Sequence, residues 1–106
     1  MFVRNISLYL KPNAIAEFVQ TMEREVVPLL RRQSGFQDLI TLAVPGGREI
    51  VAISFWRKKE NARAYNTTGY PEVLKMLEKF LDGTPHVRTL DVVGSTVEQL
   101  SPHGAS

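Results

Sequence analysis

A ferredoxin-like α+β domain, with elements in the order β-α-β-β-α-β, is predicted by three features of this 106-residue sequence. Apolar residues alternate with a period of two at both ends of the chain and in two runs in the middle. Two other stretches carry apolar residues at the three- and four-residue spacing of a helix with one buried side. Proline, glycine and asparagine punctuate the joints between them.

In Phe2 to Leu10, one face carries Phe2, Ile6, Leu8 and Leu10, and the other carries Val3, Asn5, Ser7 and Tyr9. Pro12-Asn13 ends this strand, and Asn13 is a suitable N-cap for the helix that follows. Ile15, Phe18, Val19, Met22, Val26, Leu29 and Leu30 mark its buried face. Pro28 lacks an amide donor and crowds the carbonyl of Arg24, which predicts a kink or a tighter last turn. Gly35 suits a left-handed cap at its end. Phe36 to Val44 and Arg48 to Trp56 form two β-rich runs around Pro45-Gly46-Gly47, which predicts an antiparallel hairpin. A short helix over Arg57 to Thr67 is interrupted at Thr68-Gly69. A second, opened by Pro71, carries Val73, Leu74, Leu77, Phe80 and Leu81 and stops at Asp82-Gly83. His86 to Val97 reads as the last strand. The tail Ser101 to Ser106 has no pattern and is expected to be disordered, which leaves residues 1–100 as one domain.

Right-handed crossovers place both helical segments on one face of such a sheet. The opposite face should then be polar, yet Val51, Ile53 and Phe55 oppose Ile50, Ala52 and Trp56, while Ile40, Leu42 and Val44 oppose Leu39 and Ala43. Helices cover only one of these sets. The other is larger than a monomer leaves in water, so a homodimer through the sheet face is expected.

Composition removes several function classes. The formal charge is +2, and the basic clusters Arg31-Arg32 and Arg57-Lys58-Lys59 are short and not interleaved with aromatics, so no nucleic-acid partner is expected. No cysteine is present, which excludes disulfides, thiolate catalysis and cysteine-ligated metals. The scattered carboxylates and the two histidines, one of them His103 in the tail, suggest no metal site. Gly46-Gly47 joins two strands and does not open a helix, so no nucleotide cradle is expected. No stretch is apolar for long enough to span a membrane, and nothing reads as a signal peptide, so a cytoplasmic location without a membrane partner is expected.

Across Phe2 to Leu100 the sequence resembles the antibiotic biosynthesis monooxygenase-like family of the dimeric α+β barrel superfamily. The resemblance is carried by Val27-Pro-Leu-Leu-Arg-Arg-Gln-Ser-Gly-Phe36, by Ser54-Phe-Trp-Arg-Lys-Lys-Glu-Asn-Ala-Arg-Ala-Tyr65, and by Asp82-Gly-Thr-Pro-His-Val87. It implies two sheets closing a barrel across a dimer, with a pocket between helices and sheet in each subunit. The family's chemistry is not uniform: it includes oxygenases, haem-degrading enzymes, isomerases and proteins without known activity. Where its polyketide-oxidising branch places an Asn, a Trp and a Tyr, this chain keeps Trp56 but has Ala52 and Ala62. Where its haem-degrading branch places an Asn, a Trp and a His, this chain keeps Asn5 but has Tyr65 and Lys75, and a protonated lysine offers iron no lone pair.

The candidate pocket residues are Asn5, Trp56, Tyr65, Tyr70 and His86. Asn5 either hydrogen-bonds a ligand or satisfies nearby backbone. Trp56 either walls a pocket or packs in a core or interface. Tyr65 and Tyr70 flank the break at Thr68-Gly69, where phenols could point into a pocket. His86 suits proton transfer near neutrality, or is simply exposed. The leading expectation is a homodimer binding a small apolar or aromatic ligand, as a cofactor-independent monooxygenase whose substrate has an acidic C–H or O–H. Asn5 would position the substrate, Trp56 stack on it and Tyr65 hydrogen-bond to it. The alternatives are a non-catalytic ligand-binding or dimerisation module, and a haem-binding protein.

Overall fold

The computed structural model describes residues 1–97. Residues 98–106, which hold the end of the predicted domain and the patternless tail, lie outside the described residues. The elements are β1 (Phe2–Tyr9), α1 (Ile15–Thr21), a π-helical stretch (Met22–Val26), α2 (Val27–Arg31), β2 (Phe36–Ala43), β3 (Glu49–Trp56), α3 (Lys59–Thr68), α4 (Tyr70–Leu77), a 3-10 turn (Glu78–Phe80) and β4 (His86–Asp91). The strands form one antiparallel sheet in the order β2-β3-β1-β4. This is the predicted α+β, ferredoxin-like βαββαβ arrangement, with the sequence-distant β1 and β3 at its centre.

Register explains the core. Phe2, Arg4, Ile6 and Leu8 of β1 stand beside Trp56, Ser54, Ala52 and Ile50 of β3, and a strand's side chains alternate between faces, so these residues share one side. The helices cover that side. Phe18, Val26, Leu29 and Leu30 from the first helical segment meet Val73, Leu77 and Phe80 over Leu8, Ile50 and Trp56, and all are buried. Phe18 and Phe80 pack edge to face with centroids 6.4 Å apart.

The other side of the sheet carries Val3, Asn5, Ser7 and Tyr9, with Val51, Ile53 and Phe55 beside them. Ile40 is paired with Ile53 and Leu42 with Val51, and on the far edge Leu90 is paired with Val3. Tyr9, Ile40, Leu42 and Leu90 are exposed. Among the described residues no helix covers this apolar face.

The structure departs from three local expectations. Asn13 does not cap the helix: it sits at a φ of 62°, a left-handed conformation that asparagine tolerates, and the helix starts at Ile15 after an uncapped Ala14. Pro28 lies in the first turn of α2, and the helix widens ahead of it where a kink or a tighter turn was expected. The amide of Val27 reaches the carbonyl of Met22, five residues back, so the chain bypasses the donor that proline lacks. The final strand ends at Asp91, six residues before Val97. β1 offers no partner beyond Met1, whose carbonyl accepts the amide of Val92, and Val93 is almost fully exposed. Gly35, as expected, takes a left-handed turn at a φ of 80°.

Candidate functional site

Arg4 occupies an unusual position for its chemistry. The alternation of β1 directs it to the helix-covered face between Phe2 and Ile6, and the residue is only 1% exposed. A charged group so placed needs partners, because burial strips away its water. Arg4 has few. Nη2 donates to Asn66 Oδ1 of α3 at 2.9 Å. The guanidinium carbon lies 4.8 Å from the centre of the Tyr65 ring and 4.4 Å from that of Tyr70, within the range of cation–π attraction. Nη1 is buried and, among the described residues, has no hydrogen-bond acceptor. Among the described residues no carboxylate pairs with Arg4, and the one ion pair joins Arg48 and Asp82.

Local sequence builds the aromatic side of this site. Tyr65 faces inward from α3, Tyr70 opens α4, and Gly69 lets the two helices meet. A Cβ on Gly69 would lie 2.7 Å from the Tyr65 ring, so a side chain there would displace it. Tyr65 stacks on Trp56 with centroids 4.9 Å apart, and Trp56 meets Phe36 at 5.5 Å. Trp56 is wholly buried, and its indole Nε1 donates to Ser54 Oγ at 2.9 Å. Its one polar group is therefore already engaged inside the protein.

Burial sets the ionisation of the cluster. It holds the Arg4 guanidinium below its ordinary range, against the opposing influence of the two phenols. It pushes the Tyr65 phenol from its usual 10.0 up to about 12, with Arg4 partly offsetting the rise. Tyr70 is raised for the same reason. A raised phenol pKa favours folding below the unfolded-state value, and that contribution is lost as pH climbs through the folded-state value. Native stability should therefore fall by up to about 1.4 kcal/mol per pH unit between about pH 10 and 12 on account of Tyr65. Arg4 acts with the opposite sign, so the comparison is with Tyr65→Phe, whose stability should fall less steeply in denaturant titrations over that range. Equal slopes would show that Tyr65 ionises as freely folded as unfolded.

A cleft of about 680 Å³ opens between α3 and the β1–β4 edge of the sheet. Arg4, Phe2 and Ala62 form its inner wall, Val87 adds apolar surface, and Lys59, Arg63 and Asp91 stand exposed around it. This volume lies within the roughly 300–1,000 Å³ typical of small-molecule sites. The space enclosed deeper between helices and sheet, against Tyr65, Tyr70 and Phe18, is only about 40 Å³. Side chains fill nearly all of the position where the sequence suggests a pocket.

The structure divides the five candidate residues. Trp56, Tyr65 and Tyr70 come together on the helix-covered face, with ring centroids of Tyr65 and Tyr70 6.1 Å apart. Asn5 is on the opposite face, since its neighbour Arg4 points to the helices. Its Oδ1 is buried without a partner. His86 is exposed at the start of β4, paired with Ser7, and shares Asn5's side. Arg4 is the residue that sequence reasoning passes over. Its signal is one charge inside the otherwise apolar alternation of Phe2, Ile6, Leu8 and Leu10. Among the described residues no three histidine, aspartate or glutamate side chains converge as metal ligands, and no helix is long and apolar enough to cross a membrane.

Comparison with known proteins places this geometry in context. A Streptomyces coelicolor monooxygenase solved in complex with nanaomycin D is similar over 91% of this chain and 90% of its own, at 19% identity and a TM-score of 0.77. SnoaB, a cofactor-independent oxygenase from Streptomyces nogalater, is similar over 91% and 97%, at 18% identity and a TM-score of 0.72. A protein of unknown function from Nitrosomonas europaea is similar over 91% and 92%, at 16% identity and a TM-score of 0.70. At these identities the likeness establishes a shared fold. A search of curated proteins finds no match. Residues 1–82 match the family described as antibiotic biosynthesis monooxygenase, and the chain belongs to that family.

Proposed function

We propose that the protein is a homodimer that binds a small aromatic molecule on the helix-covered side of each sheet, in the cleft beside Arg4. The observation that carries this reading is the juxtaposition of a cleft of about 680 Å³ with a buried arginine whose Nη1 lacks an acceptor. Buried polar groups of a native fold are nearly all satisfied, and an orphaned charged donor beside a cavity is a binding feature in search of its ligand. The dimer uses the other face of the sheet. Ile40, Leu42, Val51 and Ile53 form a contiguous apolar surface there, and a symmetric partner would cover it together with the orphaned Asn5 Oδ1.

A second reading adds turnover: cofactor-independent monooxygenation of an aromatic substrate, in which the deprotonated substrate itself reduces dioxygen. Family membership supports it, and so do the neighbouring oxygenases, one of them solved with nanaomycin D. In that reading the protein binds, desolvates and helps to ionise the substrate. Arg4 is the residue placed to stabilise the anion, with Tyr65 and Tyr70 beside it. Trp56 acts behind Tyr65 as packing, because its N–H is bound to Ser54. Anthrone, whose C–H is acidic, separates the readings. Binding with oxygen uptake above the uncatalysed rate supports an oxygenase. Binding with uptake at the uncatalysed rate leaves a ligand-binding protein, and no binding of any aromatic probe removes both.

A further inference from the structure

Two spaces lie in line on the helix-covered face of β1. Phe2 and Arg4 border the large cleft, while Ile6 and Leu8, further along the same face, border a second void of about 40 Å³ beneath the π-helical stretch and α4. Tyr65 and Tyr70 line that void and pack against the Arg4 guanidinium, so they stand between the two. From this placement we infer that the void is a site for an apolar diatomic gas, dioxygen, which reaches the interior by a route separate from the cleft. The inference goes beyond the cleft as a ligand site and rests on the turnover reading only for the use made of the gas.

Size and lining select the guest. The void is slightly larger than the roughly 30 Å³ that a water molecule occupies in the liquid. A two-atom molecule fills such a space, and an aromatic ring does not fit. The lining is almost wholly apolar: among the described residues its polar side-chain oxygens are Ser54 Oγ, which already accepts the Trp56 indole hydrogen, and the phenols of Tyr65 and Tyr70 at the Arg4 end. A buried water needs about two to four polar partners, and an apolar cavity without them stays dry. An apolar guest gives up no hydrogen bonds on entering and gains dispersion contacts with Val26, Leu30, Leu74 and Leu77. Leu81, which pairs with Leu10 at the far end of β1 from Arg4, and Pro85 are partly exposed. Gas therefore enters beside the loop before β4, away from Lys59 and Arg63 at the mouth of the cleft. An oxygenase must admit two reactants of opposite character, and here the Arg4 and tyrosine layer keeps their spaces apart.

Methyl relaxation in the native protein, with no ligand added, under dioxygen and under nitrogen at equal pressure tests the inference, because dioxygen is paramagnetic and nitrogen is not. The expected result is an enhancement at Val26, Leu30 and Leu77 several-fold larger than at Leu10 and Leu29, which are as deeply buried but lie outside the void. Ala52 is a buried part of the void's wall, and Ala52→Val adds two carbons there. In that variant the excess enhancement should vanish, the melting temperature should not fall, as expected of filling a cavity, and anthrone should bind in the cleft as it does to the native protein. Should Ala52→Val not fold, native-protein shifts under xenon that fall on Val26, Leu30 and Leu77 and spare Leu10 and Leu29 report the same void. Enhancement no larger at Val26, Leu30 and Leu77 than at Leu10 and Leu29 overturns the gas site and leaves the cleft to its own binding test. Anthrone binding that is weaker in folded Ala52→Val than in the native protein overturns the separation of the two spaces.

Discussion

Trp56→Ala should unfold the protein or bring it close to unfolding. Trp56 is wholly buried, stacked on Tyr65, set against Phe36 and hydrogen-bonded to Ser54. Truncating a buried aromatic costs about 3–5 kcal/mol, from lost burial and from the cavity left behind. Native domains are stable by only about 5–15 kcal/mol, so much of the total is at stake. The loss should also reach the candidate site, because Tyr65 rests on the indole on one side and on Arg4 on the other. Denaturant titration with circular dichroism measures the effect. A loss below about 1 kcal/mol, with stability otherwise native, would contradict the placement of Trp56 at the centre of the core.

Ile53→Asp should separate the proposed dimer. Ile53 stands on β3 between Asn5 and Ile40, in the middle of the face that no helix covers. In the proposed dimer a carboxylate there would be buried against the partner's apolar face, and a buried unpaired charge costs several kcal/mol. Sedimentation should show a particle of twice the 11.9 kDa chain mass for the native protein and of one chain for the variant. The native melting temperature should rise with protein concentration, as expected when folding and association are linked. A native particle of one chain mass would contradict the dimer outright.

The two substitutions probe opposite faces of one sheet, and the sequence showed those faces unequally. The strands and helices were legible because their periods differ, and the uncovered apolar face was legible in Ile40 and Leu42 set against Leu39 and Ala43. The alternation of β1 likewise placed Asn5 opposite Phe2, Ile6 and Leu8. Which set of β3 shared Asn5's side depended on register, and register comes from pairing that a single strand does not display. Asn5 could therefore be grouped with Trp56, although β3 presents Trp56 to the helices and Ile53 beside Asn5.

Arg4 was hidden for a different reason. A lone charge within an apolar alternation looks like an interruption, and only the fold shows it buried with Asn66, Tyr65 and Tyr70 around it. The site depends on α3 and α4 meeting at Gly69, a tertiary contact with no local signature beyond the helix break. Pro28 marked the place of a helical irregularity correctly, but a missing donor permits both a tighter and a wider turn. The observed widening leaves Met22, Val26, Leu29 and Leu30 all buried in the core.

On the proposed reading the sheet has two separate roles, association on one face and ligand binding on the other. The most direct test is amide chemical-shift mapping of the native protein on addition of 1-naphthoate. Shifts should concentrate at Arg4, Ala62, Asn66 and Thr89, around the cleft, and leave Asn5, Leu42 and Ile53 unmoved. Shifts centred on Asn5 and His86 instead, or an unchanged spectrum at saturating naphthoate, would contradict the assignment of the ligand to the helix-covered face.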